Sequence, residues 1–72
     1  MKILLVDHTP IYRQILQQAL SGYREFTLEF AGSAAEARTL VEQREFHFVA
    51  VSRFLPDIDG LELVRELRGS GR

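Results

Sequence analysis

The sequence predicts an α/β fold of three βα units, with parallel strands in the order 2-1-3 and helices on both faces of the sheet. Three observations lead there. Residues 3–6 and 46–51 are short, almost continuous apolar runs, the pattern of strands covered on both faces. Residues 26–31 alternate instead, with Phe26, Leu28 and Phe30 on one face and Thr27 and Glu29 on the other, as a half-exposed edge strand does. After each strand comes a segment of about ten residues with apolar positions at helical spacing, and such alternation makes βαβ units around a parallel sheet. Right-handed crossovers and the single polar-faced strand then put the first strand in the centre.

Each element carries its own start and stop signals. Thr9 stands at an N-cap position and Pro10 at the first helical position, where its missing N–H costs nothing. Ile11, Ile15, Leu16, Ala19 and Leu20 follow at helical spacing, and Gly22 is expected to close this helix. Ser33, Ala34, Ala35 and Glu36 form a capping box for the second helix, in which the hydroxyl and the carboxylate each accept an orphan backbone N–H from the other residue. Ala37, Leu40 and Val41 supply the apolar stripe of that helix. Leu61, Leu63, Val64 and Leu67 mark a third helix that stops at Gly69. The domain is expected to cover 1–68, with 69–72 a linker or a cut end.

At 72 residues the chain is one domain or part of one, and a chain this short buries only about 60% of its unfolded surface. It has no cysteine, so neither disulfides nor a cysteine metal site supplement the small core. A formal net charge of −1, with the arginines dispersed, supplies no basic field for direct nucleic acid binding. The 46% hydrophobic content is that of a folded chain and not of a disordered one. No apolar run approaches the ~18 residues of a membrane span, and the apolar start meets Asp7 too early for a signal peptide. A cytoplasmic setting without membrane contact is expected.

In an open α/β sheet, ligands bind beyond the carboxyl ends of the strands, where the strand order reverses. For the order 2-1-3 that point lies between the first and third strands. It collects Asp7 and His8 from one loop and Ser52 and Arg53 from the other. Position alone nominates a site here without naming its chemistry.

The same residues carry a family resemblance. Lys2-Ile3-Leu4-Leu5-Val6-Asp7-His8-Thr9-Pro10 is similar to the opening of the receiver domain of two-component response regulators, a CheY-like, flavodoxin-like fold whose first strand ends in two consecutive acids. Ser52-Arg53-Phe54-Leu55-Pro56-Asp57-Ile58-Asp59-Gly60 resembles that family's loop after strand three, whose typical form is D-x-x-L-P-D-x-D-G. The match spans the whole chain, which corresponds to a receiver truncated to its first three βα units.

Carried over position by position, the resemblance implies a depleted pocket. Asp7 keeps the first acid of the pair, while His8 stands where the family has a second acid that ligates Mg²⁺. Ser52 occupies the position of the aspartate that accepts a phosphoryl group from a histidine kinase. A serine hydroxyl needs an activating base to act as a nucleophile, and Mg²⁺ wants more carboxylate oxygen than Asp7 alone offers. The Ser/Thr after strand four and the Lys after strand five, both required in the family, would fall beyond this chain's last residue. Neither catalysis nor a metal or other cofactor is therefore expected.

Each of these residues also has a plainer reading. Asp7 fits a hydrogen bond to the loop before the first helix. His8 fits a pH-sensitive group, a soft-metal ligand or an ordinary loop residue, and the lack of a second histidine at ligand spacing favours the last. His47, inside an apolar strand, fits a hydrogen-bonded structural residue. Phosphorylation of Ser52 by a serine kinase would recreate negative charge at the switch position, but the fold partly encloses that loop. Asp57 and Asp59 resemble a second carboxylate pair; the structural alternative is a turn at Pro56-Asp57 and a cap by Asp59, just before Gly60, with Glu62 at N3.

The expected function is that of a degenerate receiver module that keeps the fold and a protein-binding surface. Its partners are expected to be proteins: a second copy of itself, or an attached effector domain. An apolar third strand at a sheet edge invites pairing with another chain, so a homodimer through that edge is the leading form. The exposed face of the first helix is a second surface. Two alternatives stand beside this reading: a Mg²⁺-dependent phosphoryl acceptor using Asp7 or a neighbouring acid, and an inactive N-terminal fragment of a longer regulator.

Overall fold

The apolar run at the start of the chain forms β1, Lys2–Val6, which lies at the centre of a three-stranded parallel sheet. Leu4 and Val6 there are fully buried. The computed structural model describes residues 1–69. It places β2 at Thr27–Ala31 and β3 at Phe48–Val51, in the order β2-β1-β3. The helices are α1, Pro10–Ala19, α2, Ala34–Gln43, and α3, Gly60–Gly69. β1 pairs with β2 from Lys2–Thr27 to Val6–Ala31, and with β3 from Ile3–Phe48 to Val6–Val51. Both outer strands begin later than the apolar pattern does: Phe26 precedes β2, and Phe46 and His47 precede β3. His47 is nonetheless held to β1, its backbone N–H donating to the Lys2 carbonyl at 2.8 Å and its Nδ1 accepting the Lys2 N–H at 2.9 Å.

One face of the sheet makes the core. Leu4, Val6 and Ala31 pack with Ala34 and Ala37 of α2 and Leu63 of α3, all without solvent exposure. The alanines let α2 lie close to the sheet. Leu63 alone supplies about 1.5–3 kcal/mol of burial. On their outer sides α2 and α3 are joined by Arg38, whose guanidinium donates to both Glu66 carboxylate oxygens, at 2.6 and 3.0 Å. That pairing holds Glu66 below the usual carboxylate range and Arg38 above its own. Glu29, on the same face of β2, is ion-paired with Arg44 at the end of α2.

The opposite face is thinner. There α1 lays the Arg13 guanidinium 4.9 Å over the Phe30 ring and half-buries Leu16 and Leu20. No residue of α1 is buried, and Ile11 and Ile15, expected in its core stripe, are 57% and 54% exposed. The cause is the layer count: among the described residues, α2 and α3 share the other face, so α1 has the sheet below it and no helix beside it. β3 is open for the same reason. Its sequence is continuous in apolar residues, yet Phe48 is 58% exposed and Ala50 is exposed with it. On the core side a groove runs along β3 between α2 and α3, lined by Val41, Phe46, Val49, Val51, Val64 and Leu67.

The helix ends differ in detail from the sequence signals. Thr9 is extended, as an N-cap should be, but makes no side-chain cap bond, so Pro10 at N1 opens α1 by its fixed φ. α1 closes at Leu20, whose φ stays negative at −100° and whose N–H donates to the Leu16 carbonyl, so Gly22 is not its terminator. In α2 the Ser33 Oγ accepts the Glu36 N–H at 3.1 Å as expected. The Glu36 carboxylate reaches one residue further back and accepts the Gly32 N–H at 3.2 Å instead of that of Ser33. Gly69 is the last residue of α3, where the sequence expects the helix to stop; residues 70–72 of the expected linker lie outside the described residues.

Candidate functional site at the carboxyl ends of β1 and β3

Two backbone bonds carry the sheet one residue past its strands: Asp7 N–H to the Ala31 carbonyl at 2.9 Å, and Ser52 N–H to the Val6 carbonyl at 2.8 Å. Because Val6 is paired with Val51, Asp7 and Ser52 are the next neighbouring positions of the ladder. The topology thus brings them together, both half-buried, at the point where the strand order reverses. His8 and Arg53 follow them into the loops and are exposed. Asp7 Oδ1 accepts the Thr9 N–H at 2.7 Å, which closes the turn leading into α1. Arg53 leans away from Ser52 toward the start of α3, its Nε 3.6 Å from Asp59 Oδ2.

The loop after β3 is folded tightly on itself. The Arg53 carbonyl accepts the Gly60 N–H at 2.8 Å, and Phe54 and Asp59 form an antiparallel bridge. Gly60 sits so close beneath Ser52 that a Cβ there would lie 2.0 Å from the Ser52 carbonyl oxygen. Glycine is required by space. Leu55 and Ile58 turn inward against the core, while Phe54 is left 83% exposed on this pinned loop.

Asp57 and Asp59 do not form a carboxylate pair. Asp59 Oδ1 accepts the Leu61 N–H at 2.8 Å and its carbonyl accepts the Glu62 N–H at 3.0 Å, so it caps α3. Asp57 crosses to a different helix: Oδ1 accepts the Ala34 N–H at 3.0 Å and Oδ2 the Ala35 N–H at 2.9 Å, at the N-terminus of α2. Its Oδ1 also accepts the Ile58 N–H at 3.1 Å. The turn reading of Pro56-Asp57 missed this strut, because the partner helix begins 23 residues away and leaves no local signal.

The Ala34 N–H, followed by that of Ala35, holds the Asp57 carboxyl below the usual carboxylate range. A folded-state value below the unfolded one means stability that is present above the ordinary aspartate range, near ~3.9, and lost as pH falls through the lowered folded value. Asp57→Ala is therefore expected to lower the thermal midpoint by several degrees at neutral pH. The gap between variant and wild type should close in acid, as followed by circular dichroism melts across pH.

These engagements decide what the site can hold. Asp7, Asp57 and Asp59 each spend carboxylate oxygens on backbone N–H groups, and among the described residues no three Asp, Glu, His or Cys side chains are grouped to hold a metal ion. The residues present do not fit Mg²⁺, which needs several oxygen ligands in octahedral array.

Comparison with known families matches residues 3–72 to the response regulator receiver domain, so the match takes in both loops of the site. The chain belongs to this family. Response regulator MprA of Mycobacterium sp. (strain KMS) is 33% identical over 70 residues, which is 97% of this chain and 30% of that protein. MprA of Mycobacterium leprae (strain TN) is 32% identical over 71 residues, covering 99% and 31%. Among solved structures, the signal receiver domain of an HD domain-containing protein from Pseudomonas fluorescens Pf-5 superposes with a TM-score of 0.89 at 37% identity, over 97% of this chain and 55% of that one. The non-phosphorylated HemR receiver domain from Leptospira biflexa gives 0.81 at 26% identity, over 94% and 54%. This receiver chain therefore spans about 30% of the curated relatives and little more than half of the solved receivers. Its β2-β1-β3 order is the receiver order. No described helix is long and apolar enough to cross a membrane.

Proposed function

We propose that this receiver domain takes up no phosphoryl group by its family's usual route and works through protein association. The observation that carries the reading is Ser52 at the end of β3, beside Asp7 in the ladder, where the resemblance calls for an acceptor aspartate. A neutral hydroxyl there lacks the charge and nucleophilicity of a carboxylate and would need an activating base. Asp7 is a poor substitute acceptor, because its carboxylate closes the turn into α1. His8 supplies no oxygen for a hard cation.

Association is supported by what is left uncovered. Among the described residues β3 pairs on one side only, with Phe48 and Ala50 exposed on one face and an apolar groove on the other. A second copy of the chain is the occupant this reading favours. The greater length of the relatives favours a second source of cover, an effector region attached to the same polypeptide.

The experiment is exposure of the protein to acetyl phosphate and Mg²⁺, followed by intact mass measurement. The expected result is no gain of a phosphoryl group. A Mg²⁺-dependent gain that disappears in Asp7→Asn would instead establish Asp7 as a working acceptor.

A further inference from the structure

We infer that His47 is an acid-released clamp on the amino end of β1: its neutral ring holds the Lys2 backbone N–H, and protonation of the ring lets that N–H go. The pairing of β1 with β3 begins at Ile3 and Phe48, one residue beyond Lys2. Lys2 is held by His47 instead. Its carbonyl accepts the His47 N–H at 2.8 Å, and its own N–H donates to His47 Nδ1 at 2.9 Å. On the β2 side the same end is fixed by main chain and terminus, the Met1 carbonyl accepting the Thr27 N–H at 2.8 Å and the Met1 ammonium donating to the Glu25 carbonyl. The His47 bond points inward, to the central strand, so it does not depend on what lies along the other side of β3.

Nδ1 accepts a hydrogen bond only when it carries no proton, which makes the ring in this bond the neutral tautomer with its proton on Nε2. In the imidazolium both nitrogens are donors, so an Nδ1–H would meet the Lys2 N–H donor to donor. The bond is present with the ring neutral and lost as falling pH charges it, and histidine ordinarily changes charge between about pH 8 and pH 5. The charged groups nearby do not replace the ring in this role. Glu42 of α2, Arg44 and Glu45 before β3, and Arg68 of α3 line the same groove as His47, while Lys2 shares a small pocket with Glu29 and Arg44. Both signs are represented, and carboxylate, guanidinium and ammonium side chains ordinarily titrate outside the histidine range. The other histidine, His8, stands beyond the opposite end of β1.

The test is NMR on the isotope-labelled 72-residue chain and on His47→Asn and His47→Ala. Asparagine offers an amide oxygen that accepts at every pH, while alanine offers no acceptor. In wild type at about pH 8 the ring nitrogen shifts should show Nδ1 without a proton, and the Lys2 amide should be protected from exchange. At about pH 5 that protection, corrected for the intrinsic rate, should fall about twofold to tenfold, the range for one net hydrogen bond. The amide of Leu5, in the buried middle of β1, should keep its protection, which marks the release as local. His47→Asn should hold Lys2 at both pH values, and His47→Ala at neither. A wild-type Lys2 amide protected equally at both pH values, or at neither, would overturn the clamp. So would a ring with its proton on Nδ1 in the neutral form, a ring still neutral at the acid end, or a His47→Asn variant that releases Lys2 in acid as wild type does.

Discussion

Replacing Leu63 with alanine is expected to leave the chain largely unfolded at room temperature. Among the described residues Leu63 is one of three large side chains that are fully buried, with Leu4 and Val6, and the one of them that α3 supplies. Removing such a side chain costs about 2–5 kcal/mol in lost transfer energy and residual cavity. A domain of this size without disulfides has a total stability of only about 3–5 kcal/mol from its core. The face it belongs to is also the well-built one, since the α1 face buries no helical residue that might compensate. Urea unfolding followed by far-ultraviolet circular dichroism measures the effect. A loss below about 1 kcal/mol would mean that α3 is not part of the cooperative core.

Gly60→Ala is the second large effect, and it acts on the candidate site directly. The added methyl group would meet backbone only: the Ser52 carbonyl oxygen at 2.0 Å, its carbon at 2.8 Å and the Arg53 Cα at 2.9 Å. A flexible side chain would swing aside, but here β3's end and the start of α3 must separate. The cost expected is at least about 1–3 kcal/mol, the range for overpacking. Gly22→Ala serves as the control, because a Cβ there meets nothing within 4 Å and should change stability by no more than about 0.5 kcal/mol. Amide shifts in Gly60→Ala should move most from Ser52 to Phe54, where the loop is pressed against the glycine. An alanine variant as stable as wild type would show that the loop after β3 is not pinned by this contact.

The parts of the fold that could be read in the sequence are those with local periodicity. Continuous apolar runs gave β1 and β3, alternation gave β2, helical spacing gave all three helices, and right-handed crossovers with the one polar-faced strand gave the strand order. What failed was burial. Ile11 and Ile15 in α1 and Phe48 in β3 have the pattern of covered residues, and pattern reports what a segment is suited to bury, not what is present to cover it. At the site, topology alone puts Asp7, His8, Ser52 and Arg53 at the carboxyl ends of β1 and β3. The capping of α3 by Asp59 was also legible, since the signal lies within two residues. Asp57 was not, because its carboxylate serves a helix remote in sequence. The Gly60 contact was hidden in the same way: the motif shows a glycine, and only the packed loop shows that Ser52 lies against it.

The most direct test of the proposal that the pocket lacks its family's chemistry as a whole, and not at one residue, is to restore the acceptor alone. Ser52→Asp, incubated with acetyl phosphate and Mg²⁺ and examined by intact mass, should remain unmodified. His8 still contributes no oxygen to a cation, and the carboxylates of Asp57 and Asp59 stay committed to the ends of α2 and α3. Clear formation of an acyl phosphate on residue 52 in that single variant would contradict the account, and would show a receiver site intact but for one side chain.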